Sequence, residues 1–140
     1  MSAGQGFRLD TASARAARED EGVTVELLDI DGTPLTFGDD SRPVTMRVAG
    51  SYSTVYRKAF ERARDQALAK RRRSTNDEAW RQALEVNAAC VLAWDGFYTD
   101  GGQPIPFTPA NVLAVLEAAP WIREQVEQAI TDHARFFPSA

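Results

Sequence analysis

The spacing of apolar residues changes period once along this chain, at Gly50, and the change limits the folds open to it. Before Gly50 the apolar positions alternate. Val23, Val25 and Leu27 form one run, Leu35 and Phe37 a second, and Val44, Met46 and Val48 a third, the last interleaved with Thr45 and Arg47. Alternation gives a strand one buried face. Asp31-Gly32 separates the first two runs, and both residues accept the positive φ of a tight turn. Three short antiparallel strands are therefore predicted within residues 21–50. After Gly50 the spacing is helical. Tyr52, Tyr56, Ala59, Phe60, Ala63 and Ala67 make one stripe, and Trp80, Ala83, Leu84, Asn87, Val91 and Trp94 a second. Thr75 and Glu78 stand at capping-box spacing between them. The two helices are expected to pair as an antiparallel hairpin.

The stretch "WDGFYTDGGQPIPFTPANVLAVL", residues 94–116, carries the strongest punctuation. Asp100-Gly101-Gly102 is a turn signal, and Pro104 and Pro106 hold the next residues extended. Thr108 is an N-cap with Pro109 at the first helical position, where a missing N–H costs nothing. Phe107 and Val112 flank that cap as a hydrophobic staple. Pro120 ends or kinks this helix and opens another, on which Trp121 or Ile122, Val126, Ile130 and His133 or Ala134 share a side. Residues 1–20 are small and polar and are read as a mobile arm, with a short helix after Asp10 as the alternative. The expected fold is α+β and mostly α: a small N-terminal antiparallel sheet at 21–50 packed on a four- to five-helix domain at 51–137, in one globular unit.

With 140 residues, 44% of them hydrophobic, the chain is long enough to bury a core. No apolar run reaches the length of a membrane span and the N-terminus lacks a signal peptide's apolar segment, so no membrane partner is expected. A single cysteine, Cys90, excludes an internal disulfide and suits a cytoplasmic home. The net charge of −4 conceals segregation: residues 19–40 hold eight acids and no base, while residues 53–73 hold eight bases against Glu61 and Asp65. Such polarity can steer a charged partner or draw copies of one chain together head to tail.

Candidates for chemistry are few. "VELLDIDGTPL" resembles the nucleophile motif of haloacid-dehalogenase-type phosphatases, in which Asp29 would attack phosphorus and Asp31 act as acid and base with Mg²⁺. That family needs alternating strands and helices and later lysine and acidic residues, whereas here the strand returns at once, so a turn is the better reading. The Lys70–Arg73 cluster lacks an aromatic platform and reads as a solvated helix end rather than a nucleic-acid site. His133 is the only histidine, so no histidine-based metal cluster or triad is expected. Cys90 reads as a core residue. No catalytic residue, metal or cofactor is predicted.

Apolar residues gather instead near the C-terminal end, and Trp94, Phe97, Phe107, Val112, Leu116, Trp121, Ile122, Val126, Phe136 and Phe137 are the candidates for a partner-binding surface. The order of three segments supports this. "LDTASARAAREDEGVTVELLDIDGTPL", "VTMRVAGSYSTVYRKA" and "LAWDGFYTDGGQPIPFTPANVLAVLEAAPWIREQV" together resemble the tail assembly chaperones of long-tailed bacteriophages and prophages, over residues 9–137. Tyr52 departs from the acidic residue expected at that helix start. The resemblance implies a non-enzymatic protein of the host cytoplasm that binds the helical tape measure protein, helps recruit the tail tube protein and leaves before the virion is complete. It also implies that a longer frameshifted form can exist, and it leaves the oligomeric state open, with a homo-oligomer as one option. A small structural tail protein is the alternative within the same setting.

Overall fold

The computed structural model describes Gly4, residues 6–69 and residues 75–137; the basic cluster at 70–73 lies outside the described residues. In chain order the elements are α1 (Leu9–Glu21), β1 (Val23–Glu26), β2 (Thr36–Phe37), β3 (Arg42–Pro43), β4 (Thr45–Val48), α2 (Thr54–Ala69), α3 (Asn76–Ala89), β5 (Val91–Asp95), α4 (Pro109–Ala118), α5 (Pro120–Thr131) and a closing 3₁₀ turn, His133–Phe136. The fold is α+β and mostly α, as the change of period predicts.

β1, β4 and β5 form an antiparallel sheet in that order, with Val25 opposite Met46 and Met46 opposite Trp94. β2 and β3 pair as a separate short ribbon. The turn after β1 is the expected one: Gly32 takes φ 84° and its N–H bonds to the Asp29 carbonyl at 2.9 Å. One face of the sheet supplies Val25, Leu27, Met46 and Val48 to the core. Leu84 from α3, Val112 and Leu116 from α4, and Ile122, Val126 and Ile130 from α5 fill it from the other side. Each such side chain stabilises the fold by roughly 1.5–3 kcal/mol when fully buried.

Three expectations are corrected. The helical stripe does not run on to Trp94. α3 stops at Ala89, and Val91–Asp95 becomes the strand that completes the sheet on the open edge of β4. Val91 is β-branched and Trp94 aromatic, residue types that sit well in a pleated sheet, and unpaired β4 backbone offers the hydrogen bonds. The sheet therefore draws a strand from beyond the 21–50 segment. From Leu9 onward the N-terminal arm is a helix, the alternative reading of that segment. Gly22 ends it at φ 85°, where an added Cβ would meet Leu92 Cδ1 at 2.9 Å, and Arg47 Nε donates to the Glu21 carbonyl at the helix end.

The punctuated segment 96–109 forms as its residues dictate. A small hairpin closes with Thr99 N–H to the Gln103 carbonyl at 2.8 Å and Ile105 N–H to the Phe97 carbonyl at 2.9 Å. Thr108 caps α4 by accepting from Asn111 N–H at 3.1 Å, and Pro109 and Pro120 each occupy a first helical turn.

Candidate functional site

Two arrangements of side chains stand out, one polar and one apolar. The polar one joins the two ends of the chain. Glu19, fully buried on α1, accepts from Tyr52 N–H at 3.0 Å through Oε1 and contacts His133 Nδ1 at 2.6 Å through Oε2. The other ring nitrogen of His133, Nε2, lies 3.4 Å from Ser51 Oγ, and the Tyr52 ring stacks on the imidazole at 3.9 Å. A Cβ on Gly50 would overlap the Glu19 carboxylate, so this close approach needs glycine.

Carboxylate, imidazole and hydroxyl in this order resemble a hydrolytic triad, which also needs N–H groups free to hold an oxyanion. Those of the surrounding turn are already engaged. Gly50 N–H binds the Glu19 carbonyl, Ser51 that of Ile130, Tyr52 the Glu19 carboxylate, Ser53 the Gly50 carbonyl and Thr54 the Asp20 carboxylate. What the cluster visibly does is tie α1, the start of α2 and the C-terminal turn together. Asp20, also on α1, accepts from Thr54 N–H at 2.6 Å through Oδ1 and sits favourably at the positive end of α2.

The apolar arrangement lies on the α2–α3 hairpin. Only Ala59 of the 16 residues of α2 is buried, although the helix carries a complete apolar stripe. Tyr56, Phe60, Ala63 and Ala67 line one wall of a groove of about 490 Å³, Ala79, Ala83 and Val86 the opposite wall, and Ile130 part of the floor. Phe60 is 54% exposed, Leu68 69% and Trp80 46%. Arg64 stands on the rim, and Asn87, only 7% exposed, opens on the groove. The sequence stripe Tyr52–Ala67 signalled this face, but periodicity alone cannot say whether a stripe meets its own core or nothing.

The predicted partner-binding residues divide sharply. Val112, Leu116, Ile122, Val126 and Phe136 are corrected to core residues, each at most 5% exposed. Their strongly apolar helices are the ones that cover the sheet. Trp94, Phe97 and Trp121 are half-buried against that core. Trp94 stacks on Phe97 at 4.5 Å and meets Phe107 edge-on at 5.5 Å. Phe107 is 44% exposed and, with Val112, lines a second groove of about 420 Å³ on the other side of the hairpin. Phe137 packs under the Arg15 guanidinium at 5.7 Å and so faces α1. Exposed apolar side chains thus lie on α2 and α3, at Phe60, Leu68 and Trp80, and at Phe107 among the C-terminal aromatics, whereas the buried helix residues of the set are core.

The remaining candidates are structural in their contacts. Asp31 Oδ1 accepts from the Thr33 hydroxyl at 2.6 Å and Thr33 N–H at 3.1 Å, and these bonds hold its carboxyl below the ordinary range. Asp29 Oδ1 accepts from Ile30 N–H at 2.8 Å, and the strand before it returns antiparallel. Burial pushes the Cys90 thiol up to about 12, which leaves it neutral and unreactive. No described helix is long and apolar enough to cross a membrane.

The model of the YdaY prophage protein family matches residues 51–138, more than half of the chain. The chain belongs to that family. It is a phage or prophage protein, and the matched region contains the Ser51 turn, the whole α2–α3 hairpin and both C-terminal helices. No curated protein and no solved structure matches it.

Proposed function

We propose that this prophage protein is a tail assembly chaperone. It binds apolar helical segments of the tape measure protein in the host cytoplasm, helps bring tail tube subunits to them, catalyses no reaction and departs before the particle is finished. The observation that carries the reading is the open groove on the α2–α3 hairpin, where Phe60 is 54% exposed and Tyr56, Ala63 and Ala67 are only half-buried. Such a face suits an amphipathic helix from another chain, because a helix in a groove presents apolar residues at the same spacing. A tape measure is rich in helices whose apolar stripes lack cover until the tube forms. Burying ~1,000 Å² between the two would yield a large gross driving force, reduced by the costs of association to a reversible interaction. Reversibility is what a chaperone requires. The resemblance of the three sequence segments to tail assembly chaperones supports the same assignment, as does membership of a prophage family.

Co-expression with the tape measure protein of the same prophage, followed by pull-down, tests it. The expected result is co-purification that Phe60→Asp abolishes while Trp121→Ala, away from the groove, retains it in whatever fraction stays folded. A tape measure that never co-purifies with the folded wild-type chain overturns the assignment.

A further inference from the structure

Gln125 on α5 stands in for a strand at the edge of the sheet. Its side-chain amide accepts from Leu28 N–H at 2.8 Å and donates to the Leu28 carbonyl at 2.9 Å, as the backbone of a neighbouring strand would. These bonds show which way the backbone of β1 faces. Leu27 N–H donates inward, to the Val44 carbonyl at 2.9 Å, and successive residues of an antiparallel strand alternate in this respect. Val23, Val25 and Leu27 therefore bond toward β4, while Thr24, Glu26 and Leu28 present N–H and C=O to the far side. β1 is an end strand of its sheet. Gln125 fills the outer position at Leu28, and no described residue fills it at Thr24 or Glu26.

A groove of about 600 Å³ runs along this edge, with β1 as one wall and Gln125, Gln128 and Arg135 on the other. Its two ends are oppositely charged. α5 starts beside Leu28 and runs to Ile130, whose carbonyl accepts from Ser51 N–H, and His133 then meets Glu19 in the last turn of α1. Arg135 thus stands toward the Val23 end of the groove and Glu26 toward the Leu28 end. Arg135 Nε contacts Asp132 at 3.1 Å, and a guanidinium has further N–H donors for a second carboxylate. An acid on an edge strand commonly keeps other strands away. Here the same groove also holds the base that would receive that acid from an inverted copy.

We propose that the outer edge of β1 pairs antiparallel with β1 of a second copy of this chain, about a two-fold axis at Val25. Thr24 exchanges both backbone hydrogen bonds with the partner's Glu26, and Glu26 does the same with the partner's Thr24. Of the antiparallel registers only this one matches both open positions on each strand. A shift toward Leu28 runs into Gln125 and sets Glu26 against its own copy, a like-charge pair that costs stability. The same two-fold carries Glu26 of each copy to the Arg135 end of the other groove, so acid meets base twice. Two three-stranded sheets become one, and the contact closes at two copies. With a strand of only four residues on each side, the dimer is weak and reversible. None of this depends on the tape measure reading.

Analytical ultracentrifugation of the full chain over a concentration series tests the proposal. The expected result is a monomer–dimer equilibrium without larger species, weakened by salt. Thr24→Pro removes an N–H that β4 does not use, so it should keep the fold and weaken the dimer by about tenfold or more. Glu26→Lys and Arg135→Glu should each weaken it by about tenfold, and the double variant should restore it, a rescue that a damaged fold would not show. If Thr24→Pro fails to fold, the charge exchange decides alone. A wild-type chain that stays monomeric at every concentration overturns the proposal. So does a dimer that survives Thr24→Pro, or one that the charge exchange does not rescue. A monomer whose residues 23–26 gain hydrogen-exchange protection only on adding the tape measure protein gives the edge to a foreign strand, and that too removes the second copy. The chaperone assignment is decided separately, by co-purification, whichever way the dimer falls.

Discussion

Glu19 does more for this fold than its place in a small, polar N-terminal segment would suggest. One carboxylate holds the Tyr52 N–H and the His133 ring, and Gly50 is the residue that admits it. Glu19→Ala leaves the Tyr52 N–H without its acceptor and His133 Nδ1 without the carboxylate. We expect a loss of about 3 kcal/mol, at the low end for breaking a buried pair because His133 is about one-third exposed. Glu19→Gln keeps an acceptor for Tyr52 N–H and should lose distinctly less; chemical denaturation of the two variants measures both. None of this is legible in the sequence, because Glu19 and His133 are 114 residues apart and no periodicity links them. Cys90 is the opposite case. Its neighbours Ala88, Ala89 and Val91 already mark it as a core residue, and the structure buries it completely. Its thiol, pushed up to about 12 by burial, should resist alkylation by iodoacetamide at pH 8 in the native chain and react fully in denaturant, as intact-mass measurement will show.

Local chemistry dictates most of the elements, and so most of them can be read in advance. Thr108-Pro109 starts α4, Pro120 starts α5, Thr75 caps α3 through Glu78 N–H at 3.1 Å, and Asp31-Gly32 makes its turn. The misread elements are those where a distant neighbour decides. Val91–Asp95 carries apolar residues at spacings that suit a helix face as well as a strand, and the open edge of β4 settles the matter. α1 has few apolar residues and gains its place from polar contacts: Gly50 N–H to the Glu19 carbonyl at 3.0 Å, Asp20 to Thr54, and Arg47 to the helix end. The candidate site was half legible for a related reason. The α2 stripe is plain in the sequence, whereas the stripe on α4 and α5 is just as plain and meets the sheet. Which stripe is left over depends on packing, and only three-dimensional structure reveals it. Removing residues 1–22 should therefore destabilise the chain by several degrees in a thermal melt, where a mobile arm would leave the melt unchanged. Circular dichroism of the truncated and full chains measures this.

The molecule as a whole is a sheet covered on its core face by α3, α4 and α5, with most α2 residues half-buried or exposed among the described residues. Substitutions should separate accordingly. Leu116→Ala, deep in the core, should cost ~2–5 kcal/mol, whereas Phe60→Asp, at a half-exposed groove position stacked on Tyr56, should cost about 1 kcal/mol and act chiefly on binding. The charge pattern fits the same division, with acids on the β1–β3 lobe and bases along α2. In the proposed complex a helix of another chain covers the hairpin face. Hydrogen-exchange mass spectrometry of the free chain and of its complex with the tape measure protein tests this most directly. Slowed exchange on binding should concentrate in residues 54–69 and 76–89, with the C-terminal helices unchanged. Protection confined to residues 94–137, with the hairpin exchanging as fast as in the free chain, would contradict it.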